Sequence, residues 1–259
     1  MFIIYLLIGL LTTMIGSMAG ISGGIIMKPV LDMFGHFDLA TIGVLSGGTV
    51  LAMSSVSIFT AYKQGISIEF KQGLLISIGS ITGGTIGKEV FNQLLVHEQV
   101  AKQVGWIQSM ILVCILVVIF LFMRYKDFIT TLKLQNPLVV IVVGMILGFS
   151  AAFLGIGGGP LNVAVLVLLF SMDVKKAAVN SIFIIFFAQL SGIFIVLFTT
   201  DLSSYDLSML PFMLVGGVSG GLIGSRIRPF LSVKQVSILF NVLIISIIVI
   251  NIYNIIQYL

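Results

Sequence analysis

Eight continuous apolar runs take up almost the whole of this sequence, and two of them are interrupted midway by clusters of glycine. The runs cover residues 2–34, 39–61, 70–91, 104–123, 138–170, 177–199, 207–225 and 236–258. About 20 apolar residues suffice to cross a hydrocarbon core of roughly 30 Å as a helix. The first and fifth runs have 33 residues each, ~50 Å as one straight helix at 1.5 Å per residue. Gly20-Ile21-Ser22-Gly23-Gly24 interrupts the first, and Gly155-Ile156-Gly157-Gly158-Gly159-Pro160 the fifth. Glycine and proline at that density do not continue a helix. Backbone released at membrane depth must then be buried in protein or face a water-filled cavity.

Composition supports the membrane reading. Charged residues make up 8% of the chain, against roughly 25% in a soluble domain. Thirteen basic and nine acidic side chains cannot clothe a soluble fold of this size. The runs are continuous rather than alternating, which excludes an outer-membrane barrel. The expected fold is an all-α polytopic membrane protein of about eight helical segments. The segment 1–12 has no basic n-region and reads as a membrane segment rather than a cleaved signal.

Other classes find no support. The basic residues lie between apolar runs and form no patch for nucleic acid. Cys114 stands alone within a run, and His36 and His97 are isolated, so neither a disulfide framework nor a metal site is expected. No phosphate-binding Walker loop, Ser-His-Asp set or metalloprotease pattern is present; neither enzyme activity nor a cofactor is expected.

The chain repeats itself. Gly20, Gly23 and Gly24 match Gly155, Gly158 and Gly159 at an offset of 135, which also pairs Asp38 with Asp173 and Ser46 with Ser181. Gly79, Gly83, Gly84 and Gly87 match Gly216, Gly220, Gly221 and Gly224 at 137, and Gln99-Val100 matches Gln235-Val236 at 136. Two homologous halves result, 1–123 and 138–259, joined by a connector over 124–137. If each broken helix turns back on itself, each half makes three crossings and the halves are inverted. Ten loop Lys and Arg residues then share one face and only Lys88 and Lys102 the other, against seven to five if all runs cross. The charge count favours inversion, with the connector cytoplasmic and both termini outside.

The broken helices carry the functional expectation. Free N–H groups and the half-helix N-terminus that follows create a positive field suited to an anion. One glycine cluster is equally a kink or a packing site, but a matched pair points to a binding site. Lys28, the basic residue within a broken run, either faces the same cavity or snorkels to the interface. Asn162 lies one turn into the half-helix after Pro160. Asn180, Ser181 and Gln189 lie on the sixth run and Ser46 on the second, as interhelical hydrogen-bonding groups or ligand contacts. Asp38 and Asp173 read as helix N-caps. The spaced glycines 79–87 and 216–224 read as helix-packing contacts, with Ser80, Thr82, Ser219 and Ser225 able to hydrogen-bond between helices.

The doubled G-I-x-G-G pattern, Gly20 to Gly24 with Pro29 downstream and Gly155 to Gly159 with Pro160, resembles the TauE/SafE sulfite exporter family, also called toluene sulfonate uptake permeases. The likeness extends over essentially the whole chain. It implies secondary transport of small sulfur-containing anions, sulfite or organosulfonates, in the bacterial inner membrane. It carries site roles onto Gly20, Gly23, Gly24, Gly155, Gly157, Gly158 and Gly159. A polar pair common in the family matches Asn180-Ser181 in the second half but only Ser46 in the first, where Leu45 replaces its partner. Ser22 stands in place of a glycine, and Lys28 in place of an apolar residue. The expected partners are a small anion, membrane lipid, a coupling ion (proton or sodium) and a second copy of the chain; no nucleic acid is expected. A passive anion channel and a membrane scaffold are the competing readings.

Overall fold

The computed structural model describes residues 2–95, 98–154, 157–199 and 204–258. Among these are ten α-helices: α1 (Phe2–Ala19), α2 (Gly24–Phe34), α3 (Leu39–Lys63), α4 (Phe70–Leu95), α5 (Glu98–Tyr125), α6 (Pro137–Phe153), α7 (Gly159–Phe170), α8 (Val174–Thr199), α9 (Leu210–Ile227) and α10 (Val233–Tyr258). Short 3-10 turns follow α5 at Lys126–Phe128 and α9 at Arg228–Phe230. The runs 2–34 and 138–170 each contain two helices, and every other run contains one. Among the described residues, five helices are long and apolar enough to cross a membrane: α1, α3, α8, α9 and α10. Large apolar side chains such as Ile3, Leu138, Ile146 and Val249 are exposed, as lipid as solvent permits.

Local signals set the helix ends. The Asp38 carboxylate accepts from the Thr41 backbone N–H at 2.8 Å and from its hydroxyl at 2.7 Å, starting α3. That N–H bond, with the hydroxyl, holds the Asp38 carboxyl below the usual carboxylate range. The cap is therefore intact above that range and is lost as pH falls through the lowered value. Asp173 accepts from Lys176 N–H at 2.9 Å at the start of α8, and Asn136 from Leu138 N–H at 3.0 Å with Pro137 opening α6.

Both broken runs fold as hairpins. If α1 continued straight through the glycines, Gly23 would lie ~16 Å beyond Thr12. Instead, a Cβ built on Gly23 would sit 3.1 Å from the Thr12 carbonyl oxygen. At the other end, the Tyr5 hydroxyl hydrogen-bonds His36 Nδ1 at 2.6 Å, and the Tyr5 ring meets Phe37 edge-on. So α2 runs back alongside α1. In the second half the lead-in to α6 pairs with the end of α7: Leu132 N–H donates to Leu168 O at 2.8 Å and Leu134 N–H to Leu169 O at 3.0 Å. The Thr131 and Ser171 hydroxyls close the same base at 2.7 Å.

The halves interlock through glycine. α1 packs on α9 and α6 on α4, while α3 and α8 pack on one another and each on the small-residue helix of the other half. Gly79, Gly83 and Gly87 lie against the carbonyls of Ile141, Met145 and Phe149 on α6. Gly216, Gly220 and Gly224 lie against those of Leu6, Leu10 and Met14 on α1, the same positions less 135. In return, Gly144 and Gly148 meet the carbonyls of Ile76 and Ser80, and Gly9 that of Met213. Leucine gains nothing by leaving lipid for a helix interface, so close backbone approach and its dispersion drive this pairing. The hydroxyls expected to bridge these helices do otherwise. Thr82 donates to Gly79 O and Ser225 to Leu222 O within their own helices, because a carbonyl one turn back is nearer than any partner. Hydroxyl bonds between these helices of the two halves come from Thr13 to Gly217 O and from Ser57 to Gly221 O.

A Cβ at Gly83 or Gly220 would overlap backbone and not a movable side chain. Overpacking of this kind costs about 1–3 kcal/mol. We expect Gly83→Ala and Gly220→Ala each to lower the melting temperature in detergent by more than about 5 °C. Gly43→Ala, where a Cβ meets nothing within 4 Å, should leave it unchanged.

Candidate functional site

The tips of the two hairpins touch. A Cβ built on Gly159 would sit 2.5 Å from the Ser22 backbone nitrogen and 2.8 Å from Ile21 Cα. One built on Gly157 would sit 2.9 Å from Ser22 Oγ and 3.7 Å from Gln189 Nε2. Only the lack of a side chain at 157 and 159 lets the tips come this close. Gly20, Gly157 and Gly158 also take left-handed φ angles of +75°, +63° and +80°, which make the reversals possible.

Polar groups from both halves surround the contact. Ser22 is buried, and its hydroxyl accepts from Gly24 N–H at 3.3 Å. Ile25 N–H turns back to Ser22 O, while Ser22 and Gly23 N–H meet no acceptor among the described residues. Ser46 on α3 lies beside Gly24, and Ser181 on α8 donates to Gly159 O at 3.5 Å. Gln189 reaches from Gly157 to Gly47 on α3, with Oε1 3.2 Å from where a Gly47 Cβ would be. Asn162 is buried behind this point, its amide folded toward Gly158. The starts of α2 and α7 both open onto the junction, so the positive ends of two half-helices meet there.

The structure gathers Ser22, Gly24, Ser46, Gly157, Gly159, Ser181 and Gln189, with Asn162 one layer back. It sends other candidates elsewhere. Gly23 faces the back of α1 at Thr12 and Thr13, so it closes the hairpin and does not front the junction. Gly20 packs against Ala178 on α8. The Asn180 amide is engaged at a loop: its Oδ1 accepts from Glu69 N–H at 2.9 Å and its Nδ2 donates to Lys176 O at 3.0 Å. Lys28 is half-buried one turn beyond Gly24. Gly155 lies outside the described residues, as does His97.

Two features of the surroundings have no sequence signature. A cavity of about 490 Å³, lined by Val44, Gly48, Ala52, Ile193, Leu207 and Leu210 among others, lies between α3, α8 and α9, one residue from Gly47 and one turn from Gln189. On the far side, Glu69 and Lys176 form an ion pair at 2.6 Å. Beside it Phe70, Phe183 and Phe187 stack edge to face at 5.4 and 5.1 Å, with Phe183 over Gly73. Aromatics at those spacings read from sequence only as core.

Interlocked apolar helices with two broken ones meeting at a polar junction define a multi-pass membrane protein of the transporter class. A sequence model described as sulfite exporter TauE/SafE matches residues 5–251, and the chain belongs to that family. The probable membrane transporter protein YunE of Bacillus subtilis is similar to it, 27% identical over 95% of both chains. So is the probable membrane transporter protein YjnA of the same organism, at 22% over 93% of this chain and 96% of its own. A probable membrane transporter protein of Haemophilus influenzae is 31% identical over 34% of this chain and 33% of its own. No solved structure matches.

The glycines of the junction should separate by role. Gly159→Ala must push the tips apart and should give little folded protein. A Cβ at Gly24 meets Ser22 Oγ at 3.2 Å and Val50 at 3.4 Å, so Gly24→Ala should fold and narrow the junction. Size-exclusion profiles of the two variants check this; equal profiles would remove the tip contact from the account.

Proposed function

We propose that this protein is a secondary transporter of small sulfur-containing oxyanions, sulfite or organosulfonates, across the bacterial inner membrane by alternating access. The observation that carries the reading is the meeting of the two glycine tips, each the start of a half-helix. An anion there would face two positive dipole ends, the Ser22, Ser46 and Ser181 hydroxyls and the Gln189 amide. The family supplies the substrate class.

Each half is then one re-entrant hairpin and three crossings, α3 to α5 or α8 to α10, an odd number that inverts the second half. The hairpins enter from opposite faces, with the connector cytoplasmic and both termini outside. Cysteines introduced at Gln64 and at Ser208, in a Cys114→Ser background, should label from opposite sides; labelling from one side sinks the inversion.

Alternation is supported by an asymmetry between the halves. The offsets of 135 and 137 carry Phe183, Phe187 and Phe70 onto Gly48, Ala52 and Leu207, and these three line the open cavity. They carry Lys176 and Glu69 onto Thr41 and Asp206, whose carboxylate accepts from Ser208 N–H instead. One face is thus plugged by aromatics and latched by an ion pair, while its counterpart is open. In this reading the conformer faces outward.

The test is uptake of labelled sulfite and methanesulfonate into proteoliposomes. Flux should saturate, and Ser22→Val should reduce it at least about tenfold by placing a β-branched side chain at the junction. Non-saturating, conductive flux is the channel result. Absence of flux for every oxyanion, with Ser22→Val folding normally, is the scaffold result.

A further inference from the structure

Arg228 is the largest fully buried side chain among the described residues, and it lies outside the glycine junction. Its Nη1 donates to Ser17 O at 3.2 Å, while Nε and Nη2 have no partner among the described residues. The free pair is not arbitrary. Nε–H and the neighbouring Nη2–H point the same way and form the fork that takes two oxygens of one carboxylate, sulfonate or phosphate. Burying a guanidinium with that edge unmatched is costly unless an anion completes it. Among the described residues the one ion pair is Glu69–Lys176, so none of their carboxylates does so.

The side chain is held in place at both ends. Ile21 N–H bonds Gly16 O rather than Ser17 O, which leaves the Ser17 carbonyl for Nη1. Lys175 Nζ donates to Pro229 O at 2.7 Å and Leu231 O at 3.0 Å, fixing the turn that carries Arg228. Ser17 is five residues before Ser22, on the same hairpin tip. The offset of 137 pairs Arg228 with Phe91, so the fork is one-sided.

We propose that the Nε–Nη2 edge of Arg228 is a second oxyanion site, taken up by the substrate on the face closed by Glu69–Lys176 and the three phenylalanines. Its placement on the path rests on the transport reading; its existence as an oxyanion fork does not. A ligand with two terminal oxygens on one atom, such as a sulfonate, matches the fork, whereas chloride offers a single point.

The chain has three arginines, at 124, 226 and 228, and the first two are exposed. Full-length protein labelled with 15N-arginine, in detergent without anionic lipid, is titrated with methanesulfonate and separately with chloride. We expect methanesulfonate alone to shift one Nε–H signal, one that is missing in Arg228→Lys and kept in Arg124→Lys and Arg226→Lys. Arg228→Lys should also weaken the apparent uptake affinity about tenfold while the maximal rate changes less, because lysine keeps the charge and loses the fork. If Arg228 variants do not fold, the two exposed-site variants assign the wild-type signals by elimination. No shifted arginine signal, an equal response to chloride, or a shifted signal that Arg228→Lys retains would overturn the site. A shift without any uptake leaves the site standing and removes the transport reading; uptake without a shift does the reverse.

Discussion

Helices in lipid cannot be held together by hiding leucine, so the backbone contacts of α1 with α9 and of α4 with α6 bear on everything else. Each is a row of glycines seated on the carbonyls of the facing helix, at positions related by the repeat offsets. Each joins the first helix of one half to the fourth helix of the other. That exchange fixes the depth of both hairpins, because α1 and α6 are also their outer limbs.

With the limbs fixed, the tips have little freedom. They meet at Ile21-Ser22 and Gly157 to Gly159, and any side chain at Gly159 would run into backbone. Left-handed angles at Gly20, Gly157 and Gly158 reverse the chain within a few residues. Carbonyls and N–H groups freed by the reversal then need partners that lipid cannot give. Ser22, Ser181 and Arg228 meet some of that need: Ser22 Oγ accepts from Gly24 N–H, Ser181 hydrogen-bonds Gly159 O, and Arg228 hydrogen-bonds Ser17 O. A polar junction in an apolar protein follows from the break itself, and chemistry can be built on it.

The near-symmetry of the halves is broken where conformation matters. Gly48, Ala52 and Leu207 leave a cavity, whereas Phe183, Phe187 and Phe70 fill the positions that correspond to them by the repeat offsets. Small side chains leave space and aromatics fill it, so a duplicated scaffold can carry unlike ends with a few substitutions. The ion pair of Glu69 and Lys176 is partly exposed at both residues, where such pairs contribute little to stability.

Much of this was legible in the sequence, because helix spans, breaks and repeats are patterns along the chain. The 33-residue runs with glycines at their centres required two interrupted helices, and the spaced glycines on α4 and α9 announced packing. Single side chains were less legible. Asn180 has the composition of a ligand contact yet secures the loop before α4, and Gly23 serves its own hairpin. Arg228 looks like an interfacial charge and is buried. The reason is one of range: sequence fixes neighbours within a turn or two, whereas Ser17 and Arg228, or Ser22 and Gly157, become neighbours only when the two halves interlock. The chain by itself determined which segments are apolar helices and where they break. Only the tertiary packing decided what the broken ends face.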